Sequence, residues 1–402
     1  MTQRRTELAP IRSIGVMTTP TEQQVRAALD GVNDPEIKRP ITELDMVERV
    51  TVSGPVVDVR VLLTVAGCPM RETITREVTA AVLALAGVEQ VRVDLGVMGE
   101  DQRKGLQDQL RGGRPAREIP FAQPGTLTKV FAIASGKGGV GKSSVTVNLA
   151  LAMAGQGLKV GVVDADIYGH SVPAMLGVGD LRPTQVEEMI MPVPVATPAG
   201  PDLKVISIGM LKPRRDQVVA WRGPMLDRAL VQMLGDVFWG DLDALLLDLP
   251  PGTGDVAISL GQHLANAEVV VVTTPQQAAA EVAERAGTMA SMMHQRVAGV
   301  VENMSYLPCP HCGPEHRLEV FGAGGADRVA ATLGARFGYE VPVLARVPLD
   351  ERLRAGGDEG APIVVTDPDS VAARELTSLA RTLIGRGRGL AGMQLGLSPA
   401  GR

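Results

Sequence analysis

The run Val130-Phe131-Ala132-Ile133-Ala134-Ser135-Gly136-Lys137-Gly138-Gly139-Val140-Gly141-Lys142-Ser143 decides the fold. Its first half is short, apolar and bounded by glycine, which reads as a buried strand; a helical pattern starts near Lys142. Between the two, glycines let the backbone curl so that successive N–H groups converge on phosphate oxygens, and the helix amino end adds positive potential. That context separates the loop from a glycine-rich turn matching by chance. Gly136, Lys137, Gly138, Gly139, Val140, Gly141, Lys142, Ser143 and Ser144 are therefore expected to bind a nucleotide. Lys142 is expected to reach the β- and γ-phosphates, and the Ser143 hydroxyl to coordinate Mg²⁺.

Working outward, short apolar segments at 129–134, 159–163, 244–248, 268–273, 297–301 and 341–346 alternate with helical patterns to about residue 384. Such alternation predicts an α/β fold with a doubly wound, mostly parallel sheet. Two of these strands deliver carboxylates. Leu245-Leu246-Leu247 ends at Asp248, where a Mg²⁺-organising group belongs beside a phosphate loop. Val160-Gly161-Val162-Val163 delivers Asp164-Ala165-Asp166, two carboxylates able to hold the metal's water shell and orient an attacking water. The residues alone do not divide those two roles. After strand 297–301 comes Asn303, which resembles a residue that reads adenine in nucleotide-binding relatives, since its amide offers donor and acceptor together, or caps an element end.

The rest of the composition narrows the class. The 402-residue chain is too long for one ordinary domain. Aromatic residues make up only 2%, so few rings exist to stack single-stranded bases, and a net charge of −5 gives no general pull toward nucleic acid or anionic membrane. No apolar stretch approaches the roughly 20 residues that cross a bilayer. Arg4 and Arg5 are followed by no apolar signal core, and three cysteines make no disulfide framework; a reducing, cytoplasmic setting fits best.

Five segments are expected. Residues 1–20 read as a disordered extension, with Met17 an alternative start, and 21–99 as a small N-terminal α+β domain opened by a helix capped by Thr21 with Gln24 at the capping-box position. Residues 100–128 read as a linker containing a polar helical piece, Gly112-Gly113-Arg114-Pro115 and Gln123-Pro124-Gly125. Residues 129–384 form the ATPase domain, and 385–402 a glycine-rich mobile tail.

Lys137, a second lysine directly after the first loop glycine, resembles the deviant Walker A loop of the P-loop NTPases that include the cell-division and plasmid-partition ATPases and the nitrogenase iron protein. The resemblance implies that Lys137 acts in trans on a partner's nucleotide and that ATP closes a homodimer; a surface lysine near phosphate in cis is the plainer reading. It also implies Asp166 for the attacking water and Asp164 for the metal side. Catalysis then falls to Lys137, Lys142 and Asp166.

Cys309-Pro310-His311-Cys312 carries the second chemistry. Two thiolates at this spacing can share a metal centre, yet structural zinc or an iron–sulfur cluster usually takes four ligands. Two copies of the chain would supply four, suiting a bridging [4Fe–4S] cluster on Cys309 and Cys312. The alternatives are zinc completed by His311 and His316 in one chain, a thiol–disulfide couple, or an inert pair.

With both features in hand the chain resembles the Mrp/ApbC family of iron–sulfur cluster carrier ATPases over roughly 125–384. The matching residues are SGKGGVGKS at 135–143, DADIYGHS at 164–171, WRGPM at 221–225, DLPPGTGD at 248–255, TTPQ at 273–276, ENMSY at 302–306 and the pair at 309–312. The N-terminal unit is similar to the MIP-type iron–sulfur assembly domain, from Asp34-Pro35-Glu36 and Thr42-Glu43-Leu44 to Leu63-Thr64-Val65-Ala66-Gly67-Cys68-Pro69. Cys68 is open to two readings, a transient ligand or a buried structural cysteine. Two positions depart from the family's pattern: His170 where proline is common, and Val282, beside Glu281, where many members carry aspartate.

The resemblance implies a factor that binds a [4Fe–4S] cluster at a homodimer interface and passes it to apo iron–sulfur proteins, with slow ATP hydrolysis tuning dimer closure. ATP, Mg²⁺ and the cluster are the implied cofactors, with no membrane or nucleic-acid partner. Two competing readings remain: a partitioning or positioning ATPase of the same superfamily, and an ATP-gated iron–sulfur electron donor.

Overall fold

A computed structural model describes residues 19–64, 70–111, 118–123, 125–167, 169–212 and 223–386. Residues 1–18 of the expected extension, Cys68, the glycine-rich part of the linker at 112–117, Trp221 with Arg222, and residues 387–402 of the expected tail lie outside the described residues. The chain divides into two compact units, Met1–Gln109 and Leu110–Arg402.

The first unit runs α1 (Glu22–Leu29), β1 (Val47–Ser53), β2 (Val56–Leu63), α2 (Arg71–Leu83), β3 (Gln90–Val97) and α3 (Glu100–Arg111). Thr21 caps α1: its hydroxyl accepts from Gln24 N, and the Gln24 side chain accepts from Thr21 N at 2.8 Å. Two donors that water or nothing would otherwise serve are thereby satisfied, stabilising α1 by about 1 kcal/mol. β2 lies between β1, antiparallel, and β3, parallel. Its alternation of Val57, Val59 and Val61 with Asp58 and Arg60 buries the valines. Asp34 Oδ1 accepts from the N–H groups of Glu36 and Ile37, so the Asp34-Pro35-Glu36 run is a side-chain-closed turn. The segment read as linker begins with α3, which extends into the first unit's last residues; Leu106 is buried and Gln109 Nε2 donates to Glu43 O at 3.0 Å.

The second unit contains β4 (Lys129–Ser135), α4 (Lys142–Ala154), β5 (Val160–Asp164), α5 (Val172–Met175), the small hairpin β6 (Thr184–Val186) and β7 (Met189–Met191), β8 (Val193–Val195) and β9 (Leu203–Ser207). Then follow α6 (Gly223–Gly235), β10 (Ala244–Asp248), α7 (Asp255–His263), β11 (Glu268–Thr273), α8 (Gln277–Met292) and β12 (Arg296–Glu302). The chain continues through the hairpin β13 (Leu307–Cys309) and β14 (Gly313–Leu318) to α9 (Gly325–Phe337), β15 (Val343–Arg346), α10 (Glu351–Glu359), α11 (Ile363–Thr366) and α12 (Val371–Gly385).

Eight strands form one sheet in the order β15-β12-β11-β4-β10-β5-β9-β8. All neighbours are parallel except β8, which joins β9 antiparallel at the edge. Pro194 explains the placing of β8, because a residue without N–H fits only where one side of the strand needs no partner. Two apolar clusters cover the two faces: residues of α6, α7, α8 and α9 on one, of α4, α11 and α12 on the other. This is the doubly wound, mostly parallel α/β architecture that the strand–helix alternation predicted. β8 and β9 were not among the expected strands. Val193-Pro194-Val195 is three residues interrupted by proline, and the pattern is too short to register. Phe121, in the expected linker, is buried in the core and packs edge-on against Trp239, ring centroids 6.2 Å apart.

The topology decides where chemistry gathers. β4 is central, so its carboxyl end has β10 on one side and β11 on the other. Ligands of such sheets sit at those strand ends.

Candidate nucleotide site and cysteine hairpin

The loop between β4 and α4 owes its shape to two left-handed glycines, Gly139 at φ +80° and Gly141 at φ +79°. Gly136 meets a different demand. A Cβ there would lie 2.3 Å from the carbonyl carbon of Val282, so the loop's first residue packs on the backbone of α8. Val282 therefore acts through its backbone, whatever its side chain.

Lys142, the first residue of α4, is buried, its Nζ 2.7 Å from Asp248 Oδ2 and 3.8 Å from Asp166 Oδ2. That ammonium makes no aligned hydrogen bond to either, so charge proximity holds it while its protons remain available to a ligand. Asp248 is fully buried and takes two hydroxyl donors, Ser143 Oγ at 2.6 Å and Thr146 Oγ1 at 2.7 Å. Parallel register sets Asp248 directly beside Asp164. Burial, and then the neighbouring Asp248 charge, push the Asp164 carboxyl up to about 8, against a hydrogen bond from Ser207 Oγ at 3.0 Å, the Lys142 charge and a hydrogen bond from Asp166 N at 3.2 Å. Before any cation arrives, the pair holds a proton near neutral pH. Asp166 lines the same cleft, and its Oδ1 accepts from Gly169 N at 3.0 Å.

The expected loop residues Lys137 to Ser144, with Asp166, line a cleft of about 180 Å³. Sites that enclose whole ligands run to about 300–1,000 Å³, so this cleft encloses a phosphate group, not a whole nucleotide. A larger hollow of about 400 Å³ beside Ala330 and Gly334 gathers one carboxylate, Glu340, and no cation. The smaller cleft is the chemical one.

Lys137 Nζ lies 3.3 Å from Gln276 Oε1, which also accepts from Thr274 Oγ1 at 3.0 Å. Asn303 is buried; its Nδ2 donates to Val140 O at 2.9 Å, and its Oδ1 has no partner. One Nδ2 hydrogen is thus spent on Val140, and the second, with Oδ1, still offers a donor and an acceptor. Thr146, Ser207 and Gln276 were not foreseen. Thr146 had a signal, for it stands three residues after Ser143 on one helix face; Ser207 lies on a strand that the sequence hid.

The β13–β14 hairpin puts Cys309-Pro310-His311-Cys312 at its tip, with Cys309 opposite Gly313. Cys309 is buried and Cys312 exposed. The backbone N–H of Cys312 donates to Cys309 Sγ at 3.3 Å, and this bond, followed by that of His311, holds the Cys309 thiol below its ordinary value. Among the described residues no three His, Cys, Asp or Glu side chains gather as a metal site. His311 and His316 accordingly complete no zinc centre with the cysteines inside this chain.

A phosphate loop between a central strand and a helix, with a strand-end aspartate beside it, defines a P-loop NTPase. A family model described as NUBPL iron-transfer P-loop NTPase matches residues 126–384, and one described as iron–sulfur cluster assembly protein matches 22–95. The chain belongs to this NUBPL iron-transfer P-loop NTPase family. Proteins of Mycobacterium tuberculosis and Mycobacterium bovis named iron-sulfur cluster carrier protein are 56% identical to it over 380 residues, 94% of this chain and 97% of theirs. One of the same name from Deinococcus radiodurans is 42% identical over 360 residues, 89% of this chain and 93% of that one. Among solved structures, a nucleotide-binding protein of Archaeoglobus fulgidus in complex with ADP is 37% identical, with a TM-score of 0.49, covering 60% of this chain and 89% of that one. No described helix is long and apolar enough to cross a membrane.

Proposed function

We propose that this chain is an ATP-dependent iron–sulfur cluster carrier: two copies hold a [4Fe–4S] cluster between their Cys309-Cys312 pairs and pass it to apo-proteins in the cytoplasm. The observation that carries the reading is the hairpin itself. Among the described residues it gathers two thiol ligands and no third, and it follows in the chain directly after β12 and Asn303, the residue that braces the phosphate loop. A second copy supplies the missing ligands. Relatives of near-equal length bear the carrier name, which supports the same assignment.

In this reading Lys142 takes the β- and γ-phosphates and gives up its contact with Asp248. Ser143, Asp248 and a deprotonated Asp164 would hold Mg²⁺ and its water shell, and the ion would supply charge neutralisation to the phosphates; Asp166 orients the attacking water. The chemistry is positioning and charge neutralisation, so turnover is slow. Lys137 leaves Gln276 to reach the partner's nucleotide, closing the dimer around the cluster.

Anaerobic reconstitution with iron and sulfide tests this. A cluster absorbance is expected in the wild-type dimer and absent in Cys309→Ala and Cys312→Ala. Its persistence in either variant rules out the bridged cluster. A partitioning or positioning ATPase would leave the cysteine pair idle, and would hydrolyse ATP with no cluster bound. An electron donor would keep its cluster through redox cycles driven by ATP.

A further inference from the structure

The two cysteines of the hairpin sit in opposite environments. Cys309 is 8% exposed at the end of β13, and its Sγ receives the N–H of Cys312 at 3.3 Å, with that of His311 as a second backbone donor. Cys312 is exposed, and so is His311 beside it. Gly313, at φ +92°, follows the tip and stands opposite Cys309 in the hairpin. The fold thus builds a small donor nest around one sulfur and leaves the other in solvent.

From this asymmetry we infer that Cys309 is the retaining ligand and Cys312 the exchanging ligand during cluster handover, so that each protomer releases its cluster in a fixed order, Cys312 first. The inference rests on the carrier reading above. Handover is ligand exchange, with no redox step. An acceptor thiol attacks iron, its Fe–S bond forms, the Fe–Sγ bond of Cys312 breaks, and the acceptor's proton ends on the Cys312 sulfur. The four thiolate ligands and the cluster's electron count are conserved throughout.

Two physical terms favour that order. Attack needs approach to the iron on the side of the departing sulfur, which solvent gives at Cys312 and burial denies at Cys309. Departure needs a proton on the leaving sulfur, and N–H donors aimed at a metal-bound thiolate occupy the lone pairs that would take it. After one exchange in each protomer, the cluster hangs on two Cys309 thiolates and two acceptor thiolates. A mixed intermediate of that kind transfers the cluster without ever freeing it into water.

The test uses the full-length chain, reconstituted anaerobically and mixed with a reduced peptide carrying four cysteines. At intervals the mixture is quenched with excess N-ethylmaleimide, and the labelled cysteines are identified by mass spectrometry, with the cluster-free chain as the reference for intrinsic labelling. Normalised to that reference, Cys312 is expected to become labelled at least tenfold earlier than Cys309. Simultaneous labelling, or Cys309 first, overturns the inference. As a second arm, His311→Pro deletes one donor to Cys309 and leaves both thiols in place. Its cluster is expected to be lost several-fold faster to the peptide, and an unchanged lifetime counts against the donor nest. A chain that loads no cluster overturns the carrier reading and this inference with it. That outcome is distinct from a loaded chain that releases Cys309 first.

Discussion

The ammonium of Lys137 rests 3.3 Å from the side-chain oxygen of Gln276 in its own chain, the residue just before α8. Thr274 fixes that oxygen from the other side. A lysine expected to act on a partner's nucleotide is therefore parked in cis, on a neutral acceptor, over the loop it belongs to.

Gln276→Leu removes the parking contact. A hydrogen bond to a part-exposed ammonium is worth about 1 kcal/mol, or roughly fivefold in an equilibrium. The variant is expected to dimerise at about fivefold lower ATP concentration in sedimentation experiments. An unchanged ATP dependence shows that the contact restrains nothing.

Lys142→Ala strips the only cation that faces both Asp248 and Asp166 among the described contacts. Loss of one preorganised charge at a developing anion typically costs about 10²–10³ in turnover. ATP hydrolysis by the variant is expected to fall by at least that factor. Undiminished turnover places the active site elsewhere.

Asp164 gives a pH dependence whose sign follows from its burial. The folded chain holds this proton up to about pH 8, whereas the unfolded chain releases it near 3.8. Between those values the folded state binds more protons, so stability contributed here is full below about 4 and is lost as pH rises toward 8. In Asp164→Asn that decline is expected to flatten, raising the urea midpoint of nucleotide-free protein at pH 8 relative to wild type. Parallel pH profiles for the two proteins contradict the assignment.

Gly141→Ala meets two obstacles together: a left-handed backbone and a Cβ 2.1 Å from Asn303 Nδ2. Strain of this kind costs about 1–3 kcal/mol. A lower melting temperature is expected, together with weakened nucleotide binding by calorimetry, since Asn303 must move for the methyl to fit. Gly138→Ala, which meets nothing within 4 Å, serves as the comparison.

In the first unit, Thr21→Ala deletes one half of the capping box and is expected to cost about 1 kcal/mol. Chemical denaturation of the whole chain reads that change, with nucleotide binding unaffected.

The sequence announced the central strands because they are buried on both faces: β10 and β11 are continuous apolar runs, and their ends at Asp248 and Thr273 fall where the pattern stops. The sheet's far edge was hidden for the opposite reason. Val193-Pro194-Val195 is too short for a periodicity, and Leu203 to Ser207 carries a lysine at its second position. Ser207 was invisible with its strand, so the partner of Asp164 was missing from the sequence reading. Gln276 was quoted only as part of a motif. Nothing in a linear string shows that its oxygen meets Lys137, 139 residues away. The hydrogen-bond contrast between Cys309 and Cys312 is likewise a property of one turn's backbone, which spacing alone does not encode.

The brace from Asn303 to the Val140 carbonyl has a last consequence. Asn303 is anchored by its own N–H on Thr273 O, so the phosphate loop is fastened to two strand ends before any ligand arrives. Tearing that brace would strand a buried amide, at about 1–3 kcal/mol. The loop therefore waits in one conformation, and an incoming nucleotide loses little affinity to the entropy of ordering its own binding site.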